Sequence, residues 1–330
     1  MKSLVRRCIG FAKHYPWLLP AGSFAAGWVG FVLVQRGEAL ARLMALLALL
    51  GWFWLLIEPW LRQRIERRRR HAGNFVVNFV SQSLQQELLF FSLPMLIGAT
   101  QWDTGQIVFT GLVAVAALLS TIDPIYERII AKRAARRMAF HAFCSWIAAL
   151  VVLPMVLLLP LERALPVSLL AVGAWLLLTL PLSLYSLPRA RLKVAWVAGM
   201  IAVPLLLWEL RAQLPAAGLA VIDARVTQTV DNLTPGAPVR SVRRDDLENG
   251  VVAFAAIRAP AGLAQEVIFE WRHDGARERI SAEIQGGKAD GFRVYSRKRV
   301  FPADAVGLWT VDLLTPQEQL LKRLRFVVEG

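Results

Sequence analysis

Cysteine is almost absent from this chain, with two in 330 residues, beside four histidines and four tyrosines. Cys8 lies in a basic N-terminal arm and Cys144 inside an apolar run, so no disulfide framework is implied. Catalytic signatures are missing as well. There is no HExxH, GxSxG, GxGxxG or GxxxxGKS/T, and Gly286-Gly287-Lys288 reads as a hairpin turn rather than a phosphate loop. Nothing pairs a nucleophile with a base at a workable spacing. His141 and Cys144 share one helical face, but two ligands do not make a metal centre. The expectation is a chain without a catalytic site, a cofactor or a metal.

Acidic residues are scarce where the chain is most apolar. Residues 1–210 hold 9 Asp+Glu against 21 Lys+Arg, net +12, whereas residues 211–330 hold 15 against 17, net +2. A nucleic-acid-binding domain would gather its positive charge on one folded surface. Here the charge lies between apolar runs long enough to cross about 30 Å of hydrocarbon as helices. The expected partner is therefore the lipid bilayer, and no nucleic acid is expected.

The runs cover 16–35, 39–61, 73–99, 106–122, 138–159, 167–187 and 194–210. They make a seven-helix bundle over 16–210, behind a basic arm at 1–15. The apolar character continues past Ser23-Phe24-Ala25 to Val34, which favours an uncleaved first span over a signal peptide. Between the second and third runs, residues 62–71 carry six arginines and one acid. Summed over alternate ends of the runs, one side has 18 basic residues and the other has only Arg36, Arg42 and Arg163. The positive-inside rule then puts the N-terminus in the cytoplasm and the C-terminal third outside it. Ile57-Glu58-Pro59 and Ile122-Asp123-Pro124 each precede a basic run, consistent with a duplicated helical hairpin or with chance recurrence.

The third run is the polar one. Asn74, Asn78, Ser81, Gln85 and Ser92 fall within about 60° of one another at 100° per residue, with Glu87 further round. Such groups cannot face lipid cheaply, because an unpaired polar group in hydrocarbon costs several kcal/mol. Two readings stand: hydrogen bonding between helices, or a path for a solute or lipid headgroup. Glu87, near mid-span, is an ionisable candidate or a protonated donor, with His141 or Ser145 as possible partners.

Beyond a linker at 211–219 the pattern changes to short alternating runs. Strands are expected near 220–230, 251–258, 266–273, 276–284, 292–297, 308–314 and 321–328, with a tight hairpin at Asp274-Gly275. Seven short strands suit an immunoglobulin-like sandwich over 220–330, without its disulfide. Arg293, Tyr295, Arg297, Lys298 and Arg299 are either a basic, aromatic-edged patch for an anionic polymer or lipid, or an ordinary solvated strand.

Three segments carry a family resemblance. Phe269-Glu270-Trp271-Arg272-His273-Asp274-Gly275, Phe292-Arg293-Val294-Tyr295-Ser296-Arg297-Lys298 and Gly307-Leu308-Trp309-Thr310-Val311-Asp312 resemble a small bacterial β-domain of unknown function. That domain often has histidine two places before its first tryptophan, where this chain has Phe269. The membrane part, with Asn78, Gln85-Gln86-Glu87 and Phe90-Phe91-Ser92-Leu93-Pro94, is similar to partner regions in proteobacterial inner-membrane proteins. The resemblance implies location and architecture but no activity. The expected role is an inner-membrane anchor whose periplasmic domain binds an envelope protein, polymer or anionic lipid, or signals. The alternative is a transporter or lipid-handling protein using the polar stripe and Glu87.

Overall fold

The computed structural model describes residues 71–330 apart from 123, 124, 158, 260, 261 and 289, together with fifteen single positions between 22 and 64. Most of the first and second expected spans lies outside the described residues. Leu50, Gly51, Phe53, Trp54, Ile57, Glu58 and Trp60 are each helical. A Cβ on Gly51 would stand 3.4 Å from Leu84, so this helix approaches its neighbour closely.

That neighbour is α1 (His71–Ala99), followed by α2 (Gln106–Thr121), a π-helical turn (Tyr126–Ala131) and α3 (Ala134–Leu157). Then come α4 (Leu161–Leu178), α5 (Leu180–Ser186) and α6 (Ala190–Glu209). Leu88, Leu89 and Leu96 of α1 pack with Val113 and Ala117 of α2, Ile147 and Val151 of α3, and Leu165 and Val172 of α4. Ala135–Pro154, Leu161–Leu178 and Ala190–Glu209 are long and apolar enough to cross a membrane, while Gln106–Thr121 is apolar but shorter. The run expected at 167–187 divides into α4 and α5. Its break falls at Thr179, where Thr179 Oγ1 donates back to the Trp175 carbonyl (2.9 Å) and Pro181 follows without an N–H to offer. No residue of α6 is buried.

The C-terminal part is a β-sheet region. In chain order its strands are β1 (Ala220–Thr227), β2 (Val230–Asp231), β3 (Thr234–Pro235), β4 (Ser241–Arg243) and β5 (Val251–Arg258). They continue with β6 (Ala264–His273), β7 (Ala276–Gln285), β8 (Phe292–Lys298), β9 (Gly307–Leu314) and β10 (Leu320–Glu329). One sheet has the order β1-β5-β8, a second β4-β10-β9-β6-β7, and β2-β3 is a small ribbon. Period-two alternation sends Val267, Phe269 and Trp271 of β6 inward. There they share a core with Trp309 and Val311 of β9, Phe326 of β10 and Val251, Ala253, Ala255 and Ile257 of β5. The Trp271 indole donates across the core to Ser296 Oγ of β8 (3.0 Å), so its one polar atom is satisfied. The β6–β7 hairpin turns at Asp274 and Gly275, both with positive φ (42° and 82°), as a two-residue loop of this hand requires.

The segment 211–219 is packed rather than free. Leu214 and Ala217 belong to the helical core, while Ala216 and Leu219 belong to the sheet core. Two buried glutamines tie the parts together. Gln106, at the start of α2, donates to the Leu320 carbonyl of β10 (2.9 Å) and accepts from the Gln101 amide (2.9 Å). Gln265 of β6 accepts from the Leu161 amide (2.7 Å), one of the donors that the first turn of α4 leaves without a helical partner. Ion pairs Asp103–Arg325 (3.7 Å) and Glu318–Arg211 (3.5 Å) flank these bonds.

Candidate functional site

The polar stripe of α1 meets its partners one by one. Asn74 and Asn78 are helical, and their side chains lie outside the described residues. Ser81 is buried and accepts from the Trp54 indole (3.5 Å), and Gln82 donates to the Ser120 carbonyl of α2 (3.1 Å). Gln85 is the hub. Its Oε1 accepts from the Tyr126 hydroxyl (2.8 Å), and its Nε2 stands 3.1 Å from His141 Nδ1 of α3. In that orientation the amide donates, so Nδ1 accepts and a neutral His141 carries its proton on Nε2.

Glu58 and His141 are both buried, with Glu58 Oε2 4.0 Å from Nδ1, and the Trp175 ring lies against the imidazole at 5.4 Å. An acid, an imidazole, a carboxamide and a phenol thus converge from four segments. Chemically the cluster can lock those segments in register. Its acid and imidazole can also hold or pass a proton. The buried hydroxyls of Ser92 and Ser145 have no hydrogen-bond partner among the described residues. Glu87 is exposed, about 200° round the helix from Gln85. His141, expected beside Glu87, meets Gln85 instead. Glu58, Tyr126 and Trp175 were not singled out from sequence as site residues. The one signal for them in the sequence is the Ile57-Glu58-Pro59 run, which fits a duplicated hairpin or chance recurrence.

In the sheet region a second charged cluster covers the outer face of the five-stranded sheet. Glu270 of β6 and Asp312 of β9 stand opposite each other and are fully buried. Arg279 of β7 and Arg272 of β6 both donate to Glu270, and Arg323 of β10 grips both oxygens of Asp312 (2.6 and 2.8 Å). Arg272 also reaches Asp312 (3.4 Å). Burial pushes the Glu270 carboxyl up, but the hydrogen bonds and charges of Arg279 and Arg272 outweigh it and hold the group below the usual range. Every charge here has a partner on the same sheet.

The basic strand β8 divides its side chains. Arg293 and Tyr295 are exposed and Arg297 is half-buried, alternating along β8, with β5 between them and β1, where Arg225 and Asp223 pair with each other (2.6 Å). The Nε of Arg297 has no hydrogen-bond partner among the described residues. Arg299 is exposed just past the strand. Lys298 has the opposite parity. It pairs with Glu278 and lies near the rings of Phe301 (5.8 Å) and Trp309 (5.6 Å), apart from the other four.

Among the described residues no group of three or more His, Cys, Asp or Glu is arranged to hold a metal ion. No curated protein and no solved structure matches the chain. Two families do. Residues 1–253 match a family of unknown function, DUF5924, and residues 264–328 match a protein of unknown function, DUF2914. The first match ends inside β5, so the sheet region draws β1 to β4 from one family and β6 to β10 from the other. With well over half its length in the first match, the chain belongs to the DUF5924 family of unknown function and ends in a DUF2914 segment.

Proposed function

We propose that this is an integral protein of the bacterial inner membrane, with seven spans and a cytoplasmic N-terminus. Its sheet region is then a periplasmic immunoglobulin-like sandwich that serves as a binding or signalling module without enzymatic activity. The bias of 18 basic residues to 3 supports the orientation. Tryptophan–arginine pairs at opposite ends of the helical part support the embedding: Trp60 with Arg64 (5.2 Å) and Trp208 with Arg211 (5.5 Å). The observation that favours binding over transport is Gln85, whose carboxamide is taken at both ends by Tyr126 and His141. A polar group closed in this way does the work of interhelical hydrogen bonding. Binding then falls to the sheet region, where Arg293, Tyr295, Arg297 and Arg299 offer cationic and aromatic contacts to an anionic envelope polymer or lipid headgroup.

The test uses the full chain in nanodiscs of zwitterionic lipid, challenged with an anionic polysaccharide or with anionic vesicles. Binding that falls at least tenfold in an R293E/R297E variant, and weakens with salt, supports the reading. Equal binding by both proteins rejects this face.

One observation favours a carrier as the second reading: Glu58 and His141 are ionisable, buried and adjacent. Loss of a proton-coupled flux in Glu58→Gln, with the fold intact, would select it.

A further inference from the structure

We propose that His273 is a proton-operated latch that pins the segment between β8 and β9 onto the tip of the β6–β7 hairpin. The imidazole is buried, with Nε2 2.9 Å from the Asp304 carbonyl and Nδ1 3.2 Å from the Leu308 carbonyl. A carbonyl oxygen only accepts. Both contacts are therefore hydrogen bonds only when both ring nitrogens carry protons, as in imidazolium. Neutral histidine must turn a lone pair toward one of the two oxygens and loses that bond.

The rest of the pocket suits the charged form. The ring stacks on Trp309 at 4.4 Å and 2°, offering an aromatic face to a cation. The charged groups around it come from several elements. Asp274 of the hairpin stands 3.7 Å away, and Asp304 of the held segment also acts on the ring. On β8, Lys298 lies near the same tryptophan but is paired with Glu278. On β6, Arg272 points to the opposite face, towards Glu270 and Asp312. From β10 the neighbour behind Trp309 is the apolar Phe326. Gly307 leaves room for the ring, since a Cβ there would stand 3.3 Å from its Cε1.

Burial pushes the imidazole down, but the Asp304 and Leu308 carbonyls and the Asp274 and Asp304 charges outweigh it, so its pKa is raised. A raised folded value means that the latch holds fully below the ordinary histidine value of about 6.5 and is lost as pH climbs through the folded value. What it holds is the cover of Trp309. Phe301 packs edge-on to that ring (5.2 Å), and the Ala305 carbonyl accepts its indole proton (2.8 Å). With the latch open, this cover loosens at the end of the sheet region remote from the Gln265–Leu161 tie.

The test is hydrogen exchange of residues 299–308 in the full chain in detergent, with rates normalised to intrinsic exchange, at about pH 5.5 and about pH 8.5, either side of the ordinary histidine value. The latch predicts about tenfold or greater loss of protection at the higher pH in the wild type. His273→Gln should show the weaker protection at both. Equal normalised protection in the wild type at both pH values overturns the proposal. Should the variant fail to fold, ¹⁵N-histidine spectra of the wild type decide. Two protonated ring nitrogens on His273 persisting above the ordinary histidine value of about 6.5 support the latch, and a neutral His273 ring at or below that value sinks it. The titration belongs to the sheet region itself, so a reversed membrane orientation would leave it standing and change only the compartment whose pH it reads.

Discussion

Gln85 shows how one side chain decides between readings of a whole helix. Its amide has two partners from two other segments, so Gln85→Leu removes one hydrogen bond from the Tyr126 hydroxyl and one from His141 Nδ1 together. Each lost bond costs about 0.5–1.5 kcal/mol, and the melting temperature of the full chain in detergent should fall accordingly. Glu87→Gln, on the exposed side of the same helix, should leave it unchanged. Glu270 makes a different prediction. Its carboxyl is held below the ordinary range, so the stability it contributes is present at neutral pH and lost as pH falls through its lowered folded value. Tryptophan fluorescence during acid titration should report that loss, and Glu270→Gln should flatten the profile below the ordinary glutamate value of about 4.3.

At this scale the sequence was readable in part. Ser81 and Gln85 announce themselves by period, because polar groups on one face of an apolar helix need partners. Glu58 does not, since it belongs to another helix and its neighbour His141 is over eighty positions away. Lys298 needed strand parity: one residue beyond Arg297, it points to the other side of β8.

Elements were more legible than residues, above all in the sheet region. The runs expected at 251–258 and 292–297 appear as β5 and β8 because a short apolar run, an alternating run and the glycines that precede them are local signals. The short β2, β3 and β4 carried no such pattern, since two or three residues cannot show a period. Among helices, proline marks two of the limits: α4 begins straight after Pro160, and α5 follows the break before Pro181, whereas α1, α3, α4 and α6 run through Pro94, Pro154, Pro166 and Pro204. One loop position depends on glycine. Gly291 has φ +80°, and a Cβ there would stand 3.0 Å from the Ile257 amide nitrogen on the neighbouring strand. Gly291→Ala should destabilise the sheet region by about 1–3 kcal/mol in chemical unfolding followed by tryptophan emission. A change within about 0.5 kcal/mol would mean that the loop relaxes freely.

For the whole molecule, the join between helices and sheets carries the most weight. Composition marks residues 211–219 as a linker, yet Leu214 and Ala216 are buried in different cores, and Gln106 and Gln265 bond across the boundary. These two bonds join β6 and β10 directly to the starts of α4 and α2, the kind of link that the proposed signalling role requires. Sequence alone cannot show such contacts, because Gln106 and Leu320 are separated by 214 positions. The central claim, on which the proposed function stands, is that the helical part crosses the membrane and delivers this sheet region to the outside. A bacterial alkaline phosphatase that is active only after export, fused after Gly330, tests it most directly. An exported sheet region gives high phosphatase activity from that fusion, with little fluorescence from a cytoplasm-dependent reporter at the same position. An inactive phosphatase beside a bright, well-expressed fluorescent fusion would contradict it.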